Sequence, residues 1–163
     1  MARKGQESRA QALVDELVGD IQKVSKLSEL KLTCDLTGEE GKLSQLAREF
    51  VKVKSERDKL KPTQLRRIFH DLKRVEQNFR RRRYDSSQVQ LELALTLPEL
   101  AYALGREVIP SPFYNLMKEL LQPQRIQDEQ DLRRLVEILT VLLAYHKYHE
   151  KVKEPEQSQG GEA

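Results

Sequence analysis

One cysteine, Cys34, stands in 163 residues. A lone thiol forms no disulfide within the chain, which fits a reducing, intracellular compartment. With Asp35 beside it and no basic neighbour to lower its pKa, it reads as an inert thiol. Prolines (six) and glycines (seven) are few and sit mostly in connections or in the last residues. No run of alternating β-branched residues signals a strand. No apolar stretch is long enough to span a bilayer, and the first residues lack the apolar segment of a signal peptide. The expectation is a soluble, cytoplasmic (prokaryotic) protein with no membrane partner.

Histidine is scarce too, at positions 70, 146 and 149. Catalysis usually needs a nucleophile with a base, paired acids, or a metal. His146 and His149, three apart on one helix face, could supply two metal ligands, but no Cys/His pair elsewhere completes a site, and they read as surface or interface histidines. "GEEGK" (38–42) lacks the P-loop spacing and its Ser/Thr, and no strand precedes it. Arg66 and His70 are too close for the Arg-x₄₋₆-His dyad of helical ribonucleases. An enzyme is not expected, nor a metal, nor a cofactor.

What is present is helix-forming: Leu, Glu, Lys, Arg and Gln dominate. Leu13, Leu17, Ile21, Val24 and Leu27 carry the three-or-four spacing of an amphipathic helix from about Ser8. "TCDLTGEEGKLS" (33–44) reads as a linker. A second helix carries Leu46, Phe50 and Val53 on one side. "KPTQLRRIFHDLKRVEQNFRRRR" is the clearest helix. Pro62 suits its first turn, and Leu65, Ile68, Phe69, Leu72, Val75 and Phe79 form a stripe about 120° wide, the width of a core-facing side. Ser86 or Ser87 caps the next helix, which Pro98 should kink or split. "IPSPF" marks a break, and "FYNLMKELL" is a short helix. Asp128 or a neighbour caps the last long helix, whose Leu132, Leu135, Val136, Leu139, Leu142 and Leu143 are core. The fold class is therefore all-α: a compact helical bundle of about five to six helices with flexible termini. Residues 1–43 form an N-terminal helix and linker. Residues 44–150 form the bundle, and 151–163 a polar, disordered tail.

Charge is unevenly spread. Between Lys59 and Arg83 there are ten Lys/Arg against Asp71 and Glu76, a local +8 that leaves −5 for the rest of a chain whose net charge is +3. On the clearest helix Arg66, Lys73, Arg80 and Arg81 share an arc beside the apolar stripe, with Arg67 and Arg74 on its other flank. Acids that would pair with them at i, i+4 are scarce. Such a ridge suits a polyanion, because guanidinium grips two phosphate oxygens at once. Apart from Phe79 of the apolar stripe, Tyr84 is the only aromatic next to the arginines, which favours backbone recognition over base stacking. In "LAYHKYH" (143–149), Tyr145 and Tyr148 read as closing the core with their hydroxyls outward, and Lys147 is free to face the same polyanion. Arg106 reads as a helix-end cation.

Three segments, in order, resemble a known family. "LKPTQLRRIFHDLKRVE" is similar to the "LTTSQLRKF" helix of the small subunit of type III-A CRISPR effector complexes, the Csm complexes. "LPELAYALGRE" looks like its K-x-x-Y-x-A-G-R element, and "VEILTVLLAYHKYHE" looks like its C-terminal helix. The resemblance covers about residues 58–150. It implies a non-catalytic subunit that self-associates head-to-tail as an inner filament. That filament would lie against RAMP-fold backbone subunits and the large subunit, along guide RNA and target RNA, in antiviral defence. Matched by position, it adds Arg106 and the pair His146 and Lys147 as RNA contacts, and it selects Arg66, Arg67, Lys73 and Arg74 independently of the charge count. The alternatives are a helical protein–protein adaptor whose basic face docks an acidic partner and, ranked below it, a DNA-binding regulator.

Overall fold

A computed structural model describes residues 8–162, with side chains described for residues 8–152. The expected flexible N-terminus falls on residues outside this range, and the expected tail falls almost wholly on residues whose side chains are outside it.

The described residues form helices α1 (Arg9–Gln22), α2 (Cys34–Thr37), α3 (Lys42–Lys52), α4 (Pro62–Arg80), α5 (Ser86–Gly105), α6 (Ser111–Leu120) and α7 (Glu129–Glu162), with short 3₁₀ turns at Leu27–Glu29 and Glu56–Asp58. There is no strand among them, and α2 is a single turn. The all-α fold class therefore holds, with six helices longer than one turn. No described helix is long and apolar enough to cross a membrane.

α7 is the axis of the bundle. It packs against α3, against α4 and against the Leu27–Glu29 turn. α1 lies on α3 and α6, and α5 joins α4 to α6. One continuous core results, in which Phe50 of α3 meets Phe113 of α6 edge to face with ring centroids 6.3 Å apart.

The first helix is shorter than its apolar spacing predicts. It starts as expected, with the Ser8 hydroxyl accepting from Gln11 N, but ends at Gln22. The Glu29 carboxylate accepts the backbone N–H groups of Ser25 and Lys26, which diverts the chain into a separate turn that still buries Leu27. That turn is clasped to the start of α7. Leu27 N donates to Arg125 O, and Ser28 N donates to Asp131 Oδ1. Asp131, fully buried, also accepts Gln127 N and Asp128 N. Asp128 returns the bond by accepting Asp131 N, so the two carboxylates form a reciprocal cap at α7. Lys26 Nζ lies 2.9 Å from Asp128 Oδ2. Their hydrogen bond is the main cause that holds the Asp128 carboxyl below its usual range and the Lys26 ammonium above its own.

The 33–44 segment is more ordered than a plain linker. It contains α2, buries Leu36 and folds so tightly that a Cβ at Gly41 would sit 2.9 Å from the Leu36 carbonyl carbon. Pro98 does not split α5, which runs unbroken through it. Ala94, whose carbonyl loses its partner to the proline ring, is on the exposed side, where water can replace the missing N–H.

Candidate nucleic-acid interface

α4 builds the ridge. Pro62 occupies its first turn. Leu65, Phe69, Leu72 and Val75 are buried, and Ile68 and Phe79 are half-buried, as their spacing requires. Glu76 joins this stripe, 5% exposed; its position seven residues after Phe69 carries that signal. The other half of the helix is open. Arg66, Arg67, Lys73, Arg74, Arg80 and Arg81 are all exposed, as are Arg82 and Arg83 beyond its end.

Few of these cations are neutralised. Arg74 Nη2 is 4.0 Å from Asp71, and Arg80 Nε is 3.9 Å from Glu76, both at the outer edge of an ion pair. The Arg74–Asp71 pair, exposed on both sides and long, contributes little, while the Arg80–Glu76 pair is as long but ends on a buried carboxylate. Lys73 Nζ lies 5.5 Å from the centre of the Phe69 ring. Among the described residues, Arg66, Arg67, Arg81, Arg82 and Arg83 make no side-chain hydrogen bond or ion pair. From Arg66 to Arg81 the ridge is about 22 Å long at a helical rise of 1.5 Å per residue.

The end of α4 is closed by its own backbone. Arg83 N bonds Asn78 O at 2.8 Å and Arg82 N bonds Phe79 O at 3.0 Å, a Schellman closure. Arg82 has φ 60°, the left-handed region where glycine is favoured. α5 ends in the same way at Glu107, φ 61°.

The remaining sequence-derived candidates divide. Arg106 is exposed, with its guanidinium 5.8 Å from the centre of the Tyr102 ring. It shares an open cavity of about 380 Å³ between α4 and α5 with Arg67, Asp71, Glu99 and Tyr102. The first and second motifs thus meet across one groove, while Arg80–Arg83 lie at the opposite end of α4. Tyr102, 69% exposed, is an aromatic beside an arginine that sequence reasoning misses; its placement one turn before Arg106 is the signal. Tyr84 is half-buried against the core. Lys147 is exposed, one residue from His146 and so at the N-terminal end of α4.

His146 is a correction. It is 2% exposed, and its Nε2 lies 2.7 Å from Leu60 O. A carbonyl only accepts, so Nε2 carries the proton, and the ring pins the segment leading into α4 to α7. It belongs to the fold rather than to the exposed ridge. His149 is no surface histidine either: it is buried, with Nε2 2.9 Å from Ser44 Oγ. Ser44 is itself fully buried, which seals this serine–histidine pair from any substrate. Tyr145 bonds Thr37 O and Tyr148 bonds Glu39, so both hydroxyls tie α7 to the segment before α3. Among the described residues no group of three His, Cys, Asp or Glu could hold a metal ion.

Burial is the main cause that pushes both imidazoles below the ordinary histidine range. Each unfolded histidine then binds a proton more readily than its folded form. Stability is fully present above the unfolded pKa of about 6.5 and falls as pH drops toward the folded values. Urea midpoints are expected to fall between pH 7.5 and pH 5, with a smaller fall in His146→Gln; equal midpoints in the parent chain would contradict this.

A family model described as Csm2 Type III-A matches residues 38–152. The chain belongs to the Csm2 family. It is accordingly a small subunit of the type III-A CRISPR complex, the Csm complex, and a member of an assembly with other subunits. No curated protein and no solved structure matches it. The Csm2 match begins after α1, although α1 contributes Leu13, Val14, Leu17 and Ile21 to the core.

Proposed function

We propose that this Csm2 chain is a non-catalytic subunit that holds the sugar–phosphate backbone of guide and target RNA on the exposed half of α4. In this reading Arg66, Arg67, Lys73, Arg74, Arg80 and Arg81 meet phosphates, with Arg106 and Lys147 flanking them. Copies extend head-to-tail along the RNA beside the RAMP-fold and large subunits. The observation that carries the reading is the ridge itself: a row of guanidinium and ammonium groups over a buried apolar stripe, with only two ion pairs to the chain's own acids among the described residues, both stretched to about 4 Å.

The physics suits a subunit that must accept any guide. Phosphates and 2′-hydroxyls are the same at every position, whereas base edges are not. Cations on one helix face recur every ~6–10 Å along the axis, comparable with phosphate spacing along a strand. One copy makes only a few such bonds, and repetition along the RNA multiplies them.

Filter binding of the isolated protein to single-stranded RNA over a salt series tests this. Weak, sequence-independent binding that falls steeply with salt is expected; a flat salt response would overturn it. Nuclease digestion separates the adaptor alternative, since a docked acidic protein stays bound after RNA is removed.

A further inference from the structure

α5 buries Val89, Leu93 and Leu100, yet its outer side is apolar too, with Leu91 and Leu95 each 51% open and Tyr102 69%. Toward its C-terminal end α5 lines the open cavity it shares with α4, and Tyr102 belongs to that lining. Aromatic rings this exposed are enriched at contact surfaces. The cavity differs in chemistry from the ridge beside it. Ile68, Leu100 and Val108 give it an apolar wall, and its two arginines are matched by two acids, Asp71 and Glu99. A space balanced in this way favours a neutral guest over another phosphate.

We propose that the cavity takes one unpaired base of a bound RNA, stacked on the Tyr102 ring. This rests on the RNA reading above, in which Arg67 and Arg106 hold phosphates, and assigns the neutral part of the nucleotide to the space those two arginines share. Three features support the assignment. The volume, about 380 Å³, lies within the roughly 300–1,000 Å³ of small-ligand sites. The ring of Tyr102 is open, and every base has a flat face to lay on it. Asp71 and Glu99 supply acceptors, and each of the four bases carries at least one N–H on its pairing edge.

The pocket therefore asks for a base that is free, not for a particular one, and binding stays independent of sequence. In a duplex the pairing edges are occupied and the bases stack on each other, so the pocket adds nothing there; recognition of a splayed-out base belongs to single strands.

The test is a fluorescence-anisotropy titration of the full chain, over a salt series, against three probes of equal length: single-stranded RNA, a ribose–phosphate oligomer without bases, and duplex RNA. Single-stranded RNA is expected to bind about tenfold more tightly than the baseless oligomer, the worth of one stacked base. The salt slope should be the same for both, because the phosphates engaged are the same. Tyr102→Ala should abolish the preference while leaving the slope, the baseless oligomer and the duplex as in the parent, and Tyr102→Phe should keep it. Tyr102 is exposed, so circular dichroism should be unchanged; should Tyr102→Ala unfold, Tyr102→Leu takes its place, keeping bulk without an aromatic face. Equal, salt-dependent binding of RNA and the baseless oligomer by the parent overturns the base pocket and leaves the ridge standing. A preference that survives the substitution overturns it as well, and so does an equal loss on all three probes, which would mark Tyr102 as structural. A flat salt response to every probe removes the RNA reading, and the pocket with it.

Discussion

Replacing Arg66, Lys73 and Arg80 together with alanine is expected to make the dependence of log Kobs on log salt shallower by about 2, since each phosphate neutralised on a single strand adds about 0.7 to the slope. Affinity at low salt should fall with it, equally for all RNA sequences, because bonds to the RNA backbone carry no base information. The three positions lie on one flank of α4 and all are exposed. Arg66 has no ion-pair partner among the described residues, Lys73 rests over Phe69, and Arg80 is 3.9 Å from Glu76. Arg66→Ala and Lys73→Ala should therefore each change stability by no more than about 0.5 kcal/mol, while Arg80→Ala costs more because it takes from the buried Glu76 carboxylate its ion-pair partner. Filter binding gives the slope and thermal unfolding the control. An unchanged slope in a folded triple variant would remove the ridge from RNA binding. A triple variant that unfolds would show that these side chains are structural.

The largest expected effect on stability lies elsewhere. Asp131 accepts three backbone N–H groups, those of Ser28, Gln127 and Asp128, at 2.8, 2.9 and 3.2 Å. It has no solvent exposure. Asp131→Ala strips all three donors of an acceptor that is itself shielded from water, although Gln127 is exposed and Ser28 and Asp128 are half-buried. Bonds to a charged group contribute about 1.5–3 kcal/mol each, and a buried donor without a partner costs about 1–3 kcal/mol, so a loss of about 4 kcal/mol is expected after partial relaxation. Asp131→Asn should lose less, because its one carbonyl oxygen still accepts. Urea unfolding of both variants checks the ranking. Asp131→Ala falling within about 1 kcal/mol of the parent would mean that the clasp between the Leu27 turn and α7 is not a stabilising element.

The fold was legible wherever periodicity was long. α4 and α7 each run for five turns or more, and their apolar spacing defines the buried side without help from the rest of the chain. The Ser8 and Asp128 caps were legible for the same reason: a short polar side chain stands just before each periodic run. The early end of α1 was not, because the acceptor that diverts the chain, Glu29, comes several residues later and looks like any helical glutamate. Nor was α2, which is held by close backbone approach at Gly41 rather than by a pattern of side chains.

The ridge was legible because charge and periodicity coincide on α4. The histidines were not. A His-x-x-His pair on a helix reads the same whether it faces water or core. The partners that fix these two rings are Leu60 O, a backbone atom with no sequence signature, and Ser44, more than a hundred positions away. The bare side of α5 escaped for the opposite reason. Alanine, proline and glycine between leucines suggest interior packing, and only the placement of α4 and α6 against the helix shows that Leu91 and Leu95 are left open.

The overlap between family and fold has a practical corollary. Residues 38–152 are the recognisable block, yet the wall formed by α3 and α6 is roofed by α1. A recombinant fragment trimmed to the recognisable block would present greasy surface to solvent and collect in the insoluble fraction, so domain limits for bench work on this chain should follow packing rather than homology.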